Sequence, residues 1–93
     1  MPENASVRLT LRGRVQGVSF RDFTKRLADR LGLVGYVENM ADGTVQAVAE
    51  GRRSSMGGFI EALMAGPPQA RVSSVDTEWL PPTGAYADFS IHY

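Results

Sequence analysis

The sequence contains no cysteine. Disulfides, thiol nucleophiles and thiolate zinc sites are excluded together. It holds a single histidine, His92, one position from the C-terminus. No Ser, Cys or paired-carboxylate motif accompanies it, so the residue types for a histidine-based relay are missing. Alternation with Ile91 and Tyr93 instead makes His92 an exposed strand residue. Carboxylates are scattered and never cluster with histidine at metal-ligand spacing, so neither metal nor cofactor is expected. No apolar run approaches the roughly 20 residues of a membrane span, and no secretion signal is recognisable. The expected location is cytoplasmic, without membrane partners, and there the glycosylation-like Asn4-Ala5-Ser6 has no consequence.

What is present describes an ordinary globular chain. It has 93 residues, 43% hydrophobic and 22% charged, enough for one domain over residues 1–93 with a modest core. A polar N-terminal tail is expected over residues 1–5, and the polar exterior predicts a monomer. Net charge is zero but unevenly placed: residues 1–30 carry seven Lys or Arg against three acids, leaving three basic and seven acidic residues beyond. A basic half can recruit small anions or nucleic acid, and charge alone does not choose.

Periodicity orders the elements. Val7, Leu9 and Leu11 alternate with Arg8, Thr10 and Arg12, the pattern of a half-buried strand. Phe20, Phe23, Leu27 and Leu31 share one helical face. Ser19 stands as N-cap, Asp22 echoes a capping box, and Gly32 ends the helix. A strand over Leu33 to Met40 leads into the turn chemistry of Asp42-Gly43, and Thr44 to Glu50 returns as its partner. Met56, Phe59, Ile60, Leu63 and Met64 mark a second helix whose first half holds Gly57 and Gly58, read as permitting close packing or leaving a frayed end. Gly66-Pro67-Pro68 stops it. Val72 to Leu80 and a short Phe89 to Tyr93 segment complete the set. The order predicts an α+β sandwich: a ferredoxin-like βαββαβ unit with a mostly antiparallel sheet, two helices on one face and a short C-terminal strand.

Between the first strand and the first helix lies Gly13-Arg14-Val15-Gln16-Gly17-Val18-Ser19-Phe20-Arg21. Two glycines there let the backbone turn N–H groups toward one point, and a helix N-terminus adds its unpaired donors and positive dipole end. The spacing is neither a Walker A loop nor a dinucleotide fingerprint, and turn-forming glycines need no ligand. Arg21 is either a solvated surface arginine or a guanidinium fork for phosphoryl oxygens. A first-turn cation opposes the helix dipole unless an anion lies between them. Asn39 is either a residue easing the chain into the Asp42-Gly43 turn or a carboxamide that orients a water through a donor and an acceptor. Trp79, Tyr36, Tyr86 and Tyr93 are read as packing residues, with a groove lining as the alternative.

The Gly13–Arg21 segment, followed by Gly35-Tyr36-Val37-Glu38-Asn39, resembles the paired signatures of acylphosphatases. The likeness continues through Asp42-Gly43-Thr44-Val45, Glu50-Gly51, Gly66-Pro67 and Phe89-Ser90-Ile91 to Tyr93, nearly the whole chain. It implies hydrolysis of the carboxyl-phosphate bond of acyl phosphates, with inorganic phosphate as product and inhibitor. By that resemblance the catalytic arginine falls on Arg21 and the catalytic asparagine on Asn39. The phosphate-binding loop falls on residues 13 to 19, with backbone amides of Val15, Gln16, Gly17, Val18 and Ser19 as ligands. Ser19 occupies a position that varies in the family, and His92 stands where members often carry arginine. Phosphoryl transfer is mainly positioning and electrostatics, which accords with a chain poor in acid–base groups. RNA binding, open to the same fold, meets a ring-free third strand, Thr44 to Glu50. A non-catalytic anion sensor would not need Asn39. A related domain of larger carbamoyl-transferring proteins would be expected to continue into cysteine-rich segments, so a free-standing enzyme is favoured.

Overall fold

Alternation along the first strand sets the layers: Val7, Leu9 and Leu11 are fully buried, while Arg8 and Arg12 are exposed. The computed structural model describes residues 3–93, and Met1 and Pro2 of the expected tail lie outside the described residues. The elements are β1 (Asn4–Arg14), α1 (Phe20–Leu31), β2 (Val34–Asn39), β3 (Val45–Arg52), α2 (Arg53–Ala65), β4 (Arg71–Leu80) and β5 (Phe89–His92). One sheet carries all five strands in the order β4-β1-β3-β2-β5. Every neighbouring pair is antiparallel except β2 and β5, which run parallel. The sheet is therefore mixed, and both βαβ halves are split by an intervening strand as the element order implied.

Register explains the core. Val7, Leu9 and Leu11 stand opposite Ala49, Ala47 and Val45, so two of the three face alanines, which leave room for the helices. From α1 come Phe20, Thr24 and Ala28, all buried, flanked by partly buried Phe23, Leu27 and Leu31. The buried stripe is thus rotated from the expected Phe20-Phe23-Leu27-Leu31 face. Polar Thr24 is admissible at its centre because its hydroxyl donates to the Phe20 carbonyl (2.8 Å), satisfying the group within the helix. From α2 come Met56, Phe59 and Leu63, with the Phe59 ring edge-on to Phe89 at 6.4 Å. Met64, expected in the core, is 55% exposed. A Cβ at Gly57 or Gly58 would meet nothing within 4 Å, so close packing is not their reason.

Two boundaries move toward the N-terminus. β1 begins at Asn4 with Ala5 already buried, inside the stretch expected as tail, because Asn4 and Ala5 pair with Arg52 and Gly51 of a longer β3. α2 begins at Arg53, directly after β3, and the Arg53 N–H donates to the Glu3 carbonyl (2.8 Å). At the other end of β1, Gly13 belongs to the strand rather than to the loop beyond it. The register with β4 slips between Arg12 and Gly13, and a Cβ on Gly13 would collide with the Arg71 carbonyl oxygen. Gly13 therefore serves a bulge where two backbones touch.

Candidate active site

The loop from Val15 to Ser19 is held by its apolar residues. Val15 and Val18 are buried in the core, so Gly17 and Ser19 are pressed outward. Gly17 has φ 74° and Ser19 φ 62°. Among the described residues Ser19 is the only non-glycine with positive φ, a conformation costing about 1–2 kcal/mol for an L-residue. Ser19 occupies the N-cap position, but its side chain makes no capping hydrogen bond, so the expected capping box does not form. Among the described residues no hydrogen bond uses the N–H of Gln16, Gly17, Val18 or Ser19. Left-handed residues interleaved along such a run make an anion-attracting concavity, and α1 adds its own unpaired first-turn donors.

Arg21 leaves the first turn of α1 beside this loop. Its Nη1 donates to the His92 carbonyl (3.3 Å), and the guanidinium carbon lies 4.8 Å from the centre of the Tyr93 ring. Among the described residues Arg21 forms no ion pair. Among the described residues no pairing with Asp22 forms, and most donors of the guanidinium fork have no partner.

Asn39 is the last residue of β2. Strand alternation puts it on the same side as fully buried Val37, the side that α1 covers. Its Oδ1 is buried and has no hydrogen-bond partner. A buried unpaired carboxamide oxygen costs about 1–3 kcal/mol and calls for a physical reason. Arg21, Asn39, Val15, Gly17, Ser19 and Tyr93 line one cleft of about 320 Å³, with Asp22 the other charged residue on its wall.

The remaining loop residues play other parts. Val18 faces the core, and the Gln16 side chain turns to the β2–β3 turn, where Nε2 donates to the carbonyls of Met40 (2.8 Å) and Thr44 (2.9 Å). That turn is closed by Asp42, whose carboxylate accepts from the Thr44 hydroxyl (2.7 Å) and amide (3.0 Å). These two bonds hold the Asp42 carboxyl below its ordinary pKa. The Gln16 contact was missed because only the fold brings those partners together. His92 is exposed as expected, its ring stacked on Tyr36 at 4.5 Å, and only its carbonyl touches site machinery. Of the aromatic residues considered for a groove, Tyr93 alone borders the cleft. Trp79 lies against Arg53 (4.9 Å) and is 46% exposed. Among the described residues no three His, Cys, Asp or Glu side chains come together to hold a metal.

The fold is a ferredoxin-like sandwich whose first strand–helix loop, with its unpaired N–H groups, lies beside a small cleft that Arg21 and Asn39 also line. Residues 7–91 match the acylphosphatase family profile. An acylphosphatase of Dehalococcoides mccartyi is 47% identical over 88 residues, 94% of this chain and 97% of that protein. The crystal structure of acylphosphatase from Bacillus subtilis superposes with a TM-score of 0.92 at 36% identity, covering 96% of this chain and 99% of the other. Full-length HypF in its phosphate- and nucleotide-bound form superposes at 0.89 and 26% identity, covering all of this chain but 12% of that one. The chain belongs to the acylphosphatase family. Acylphosphatases are hydrolases of acid anhydrides that act on small acyl phosphates. No helix among the described residues is long and apolar enough to cross a membrane.

Proposed function

We propose that the chain hydrolyses acyl phosphates with Arg21 and the N–H groups of Val15 to Ser19 holding the phosphoryl oxygens and Asn39 aiming the attacking water. The observation that carries this reading is that Asn39 and Arg21 line one cleft beside the unpaired N–H groups of the loop. The Asn39 carboxamide holds a water by hydrogen bonding, and a lone pair of the water oxygen then faces phosphorus. The new P–O bond forms as the bond from phosphorus to the carboxyl oxygen breaks, and the carboxylate departs with that electron pair. A carboxylate is a stable leaving group, so no general acid is required. The second proton of the water passes to a phosphoryl oxygen. The gathering of charge on the three equatorial oxygens is met by the guanidinium and the loop amides, which are already in place before substrate arrives.

The test is steady-state hydrolysis of benzoyl phosphate. Arg21→Gln should lower kcat/KM by about 10³-fold, the scale for an arginine that stabilises phosphoryl transfer. Inorganic phosphate should inhibit the wild type competitively and the variant weakly, and EDTA should leave the wild type unaffected. A folded Arg21→Gln with near-normal kinetics, or a wild-type activity that chelation abolishes and one divalent ion restores, would overturn the assignment.

A further inference from the structure

The two halves of the site stand on strands that do not touch. The loop follows β1 and Asn39 ends β2, and β3 lies between them in the sheet. Something must hold the distance between phosphorus and water, because a misplacement of ~1 Å can cost about 10²-fold in rate. Among the described residues, the only side-chain hydrogen bonds from the Val15–Ser19 loop to the β2–β3 turn come from Gln16.

Their geometry is specific. Met40, the residue after Asn39, and Thr44, the residue before β3, already exchange one hydrogen bond, Met40 N–H to Thr44 carbonyl (2.8 Å), and the Met40 carbonyl also accepts from Gly43 N–H (3.1 Å). Each carbonyl thus has one lone pair committed within the turn and one left. Gln16 donates to both remaining lone pairs through one nitrogen. Both partners are acceptors, so only a group with two hydrogens fits.

We propose that Gln16 is a positioning residue for the hydrolysis assigned above: its side chain sets the place of Asn39 relative to the cradle, apart from any contact its own backbone N–H makes with phosphate. This rests on the assignment of Asn39 to the attacking water. Gln16→Met keeps the length and removes both donors. It should lower kcat by about 10–100-fold through misplacement of the reacting groups, while inhibition by inorganic phosphate changes less than about three-fold, since ground-state phosphate binding is untouched. In an Asn39→Ala background the same substitution should add little, because residues acting through one group are not additive.

Gln16→Glu, equally long and without a donor when ionised, serves if Gln16→Met does not fold. Unchanged kcat in Gln16→Met beside a large loss in Asn39→Ala would overturn the positioning role and leave the assigned function standing. Losses that multiply with Asn39→Ala, with phosphate inhibition weakened in parallel, would also overturn it, placing Gln16 in the cradle alone. An Asn39→Ala variant as active as wild type would remove the assigned function itself, and the positioning role with it.

Discussion

Ser19 shows how a single residue can be legible by position and illegible by conformation. Its residue type marks a helix N-cap, and the helix does begin after it. The left-handed backbone follows instead from Val18 being driven into the core just before it, which local spacing does not encode. Because the side chain makes no cap bond, Ser19→Gly loses nothing but conformational restriction of the unfolded chain, about 0.4–1 kcal/mol. It relieves a left-handed penalty of about 1–2 kcal/mol. The balance favours glycine, so the thermal midpoint should rise by roughly 2–6 °C, with kcat within a few-fold because the N–H groups stay in place. A midpoint that falls in a calorimetric scan would show the strain to be absent. Arg21 and Asn39 were singled out by residue type together with the two-motif resemblance, and the fold brings both to one cleft. The unpaired Asn39 oxygen and the Gln16 clamp were not, since both depend on which strands the sheet places side by side.

Elements were legible wherever periodicity and punctuation agreed, as in the Asp42-Gly43 hairpin and the Gly32 stop of α1, where the Gly32 N–H bonds back to Asp29 (3.2 Å). They were less so at β4. It is an edge strand whose residues are all exposed or only partly buried, so the Val75-Thr77-Trp79 alternation reports which residues face the helices but not how fully they are covered. In α2 the missing information is again spatial: Gly57 and Gly58 look like packing glycines in sequence but face open space. With helical backbone and no steric neighbour, each costs about 0.5–1 kcal/mol relative to alanine. Gly57→Ala and Gly58→Ala should therefore each stabilise by that amount in urea titrations, additively within error. A destabilised Gly58→Ala would reveal an α2 packed more tightly than the structure has it.

At the scale of the whole molecule, one buried carboxylate ties the long β4–β5 connection to the sheet. Glu50, 5% exposed on β3, accepts from the Thr83 hydroxyl (2.7 Å) and from the amides of Thr83 and Gly84 (3.1 Å each). Burial alone would raise its carboxyl pKa, but the hydrogen bonds from Thr83, Gly84 and Ser6 outweigh it and hold the value below normal. A depressed folded-state pKa stabilises the fold above the unfolded value, about 4.3, and that contribution disappears as pH falls through the folded value. Glu50→Gln should thus be less stable than wild type by about 1–3 kcal/mol at pH 7, with the gap narrowing below pH 4. A gap that is constant with pH would assign the loss to shape rather than charge. The fold class followed from the order of periodic segments alone. The clamp at Glu50 did not, because its partners come from a Pro- and Gly-rich loop without periodicity.

The proposed hydrolysis divides binding and attack between Arg21 with its loop and Asn39, which line one cleft. Its most direct test is Asn39→Ala, followed by benzoyl phosphate turnover and by competitive inhibition with inorganic phosphate on the same folded preparation. In Asn39→Ala kcat should fall by roughly 10²–10³-fold, about 3–4 kcal/mol of transition-state stabilisation, with phosphate inhibition almost unchanged. Wild-type turnover in that variant would contradict that division and leave Asn39 as no more than the residue that ends β2.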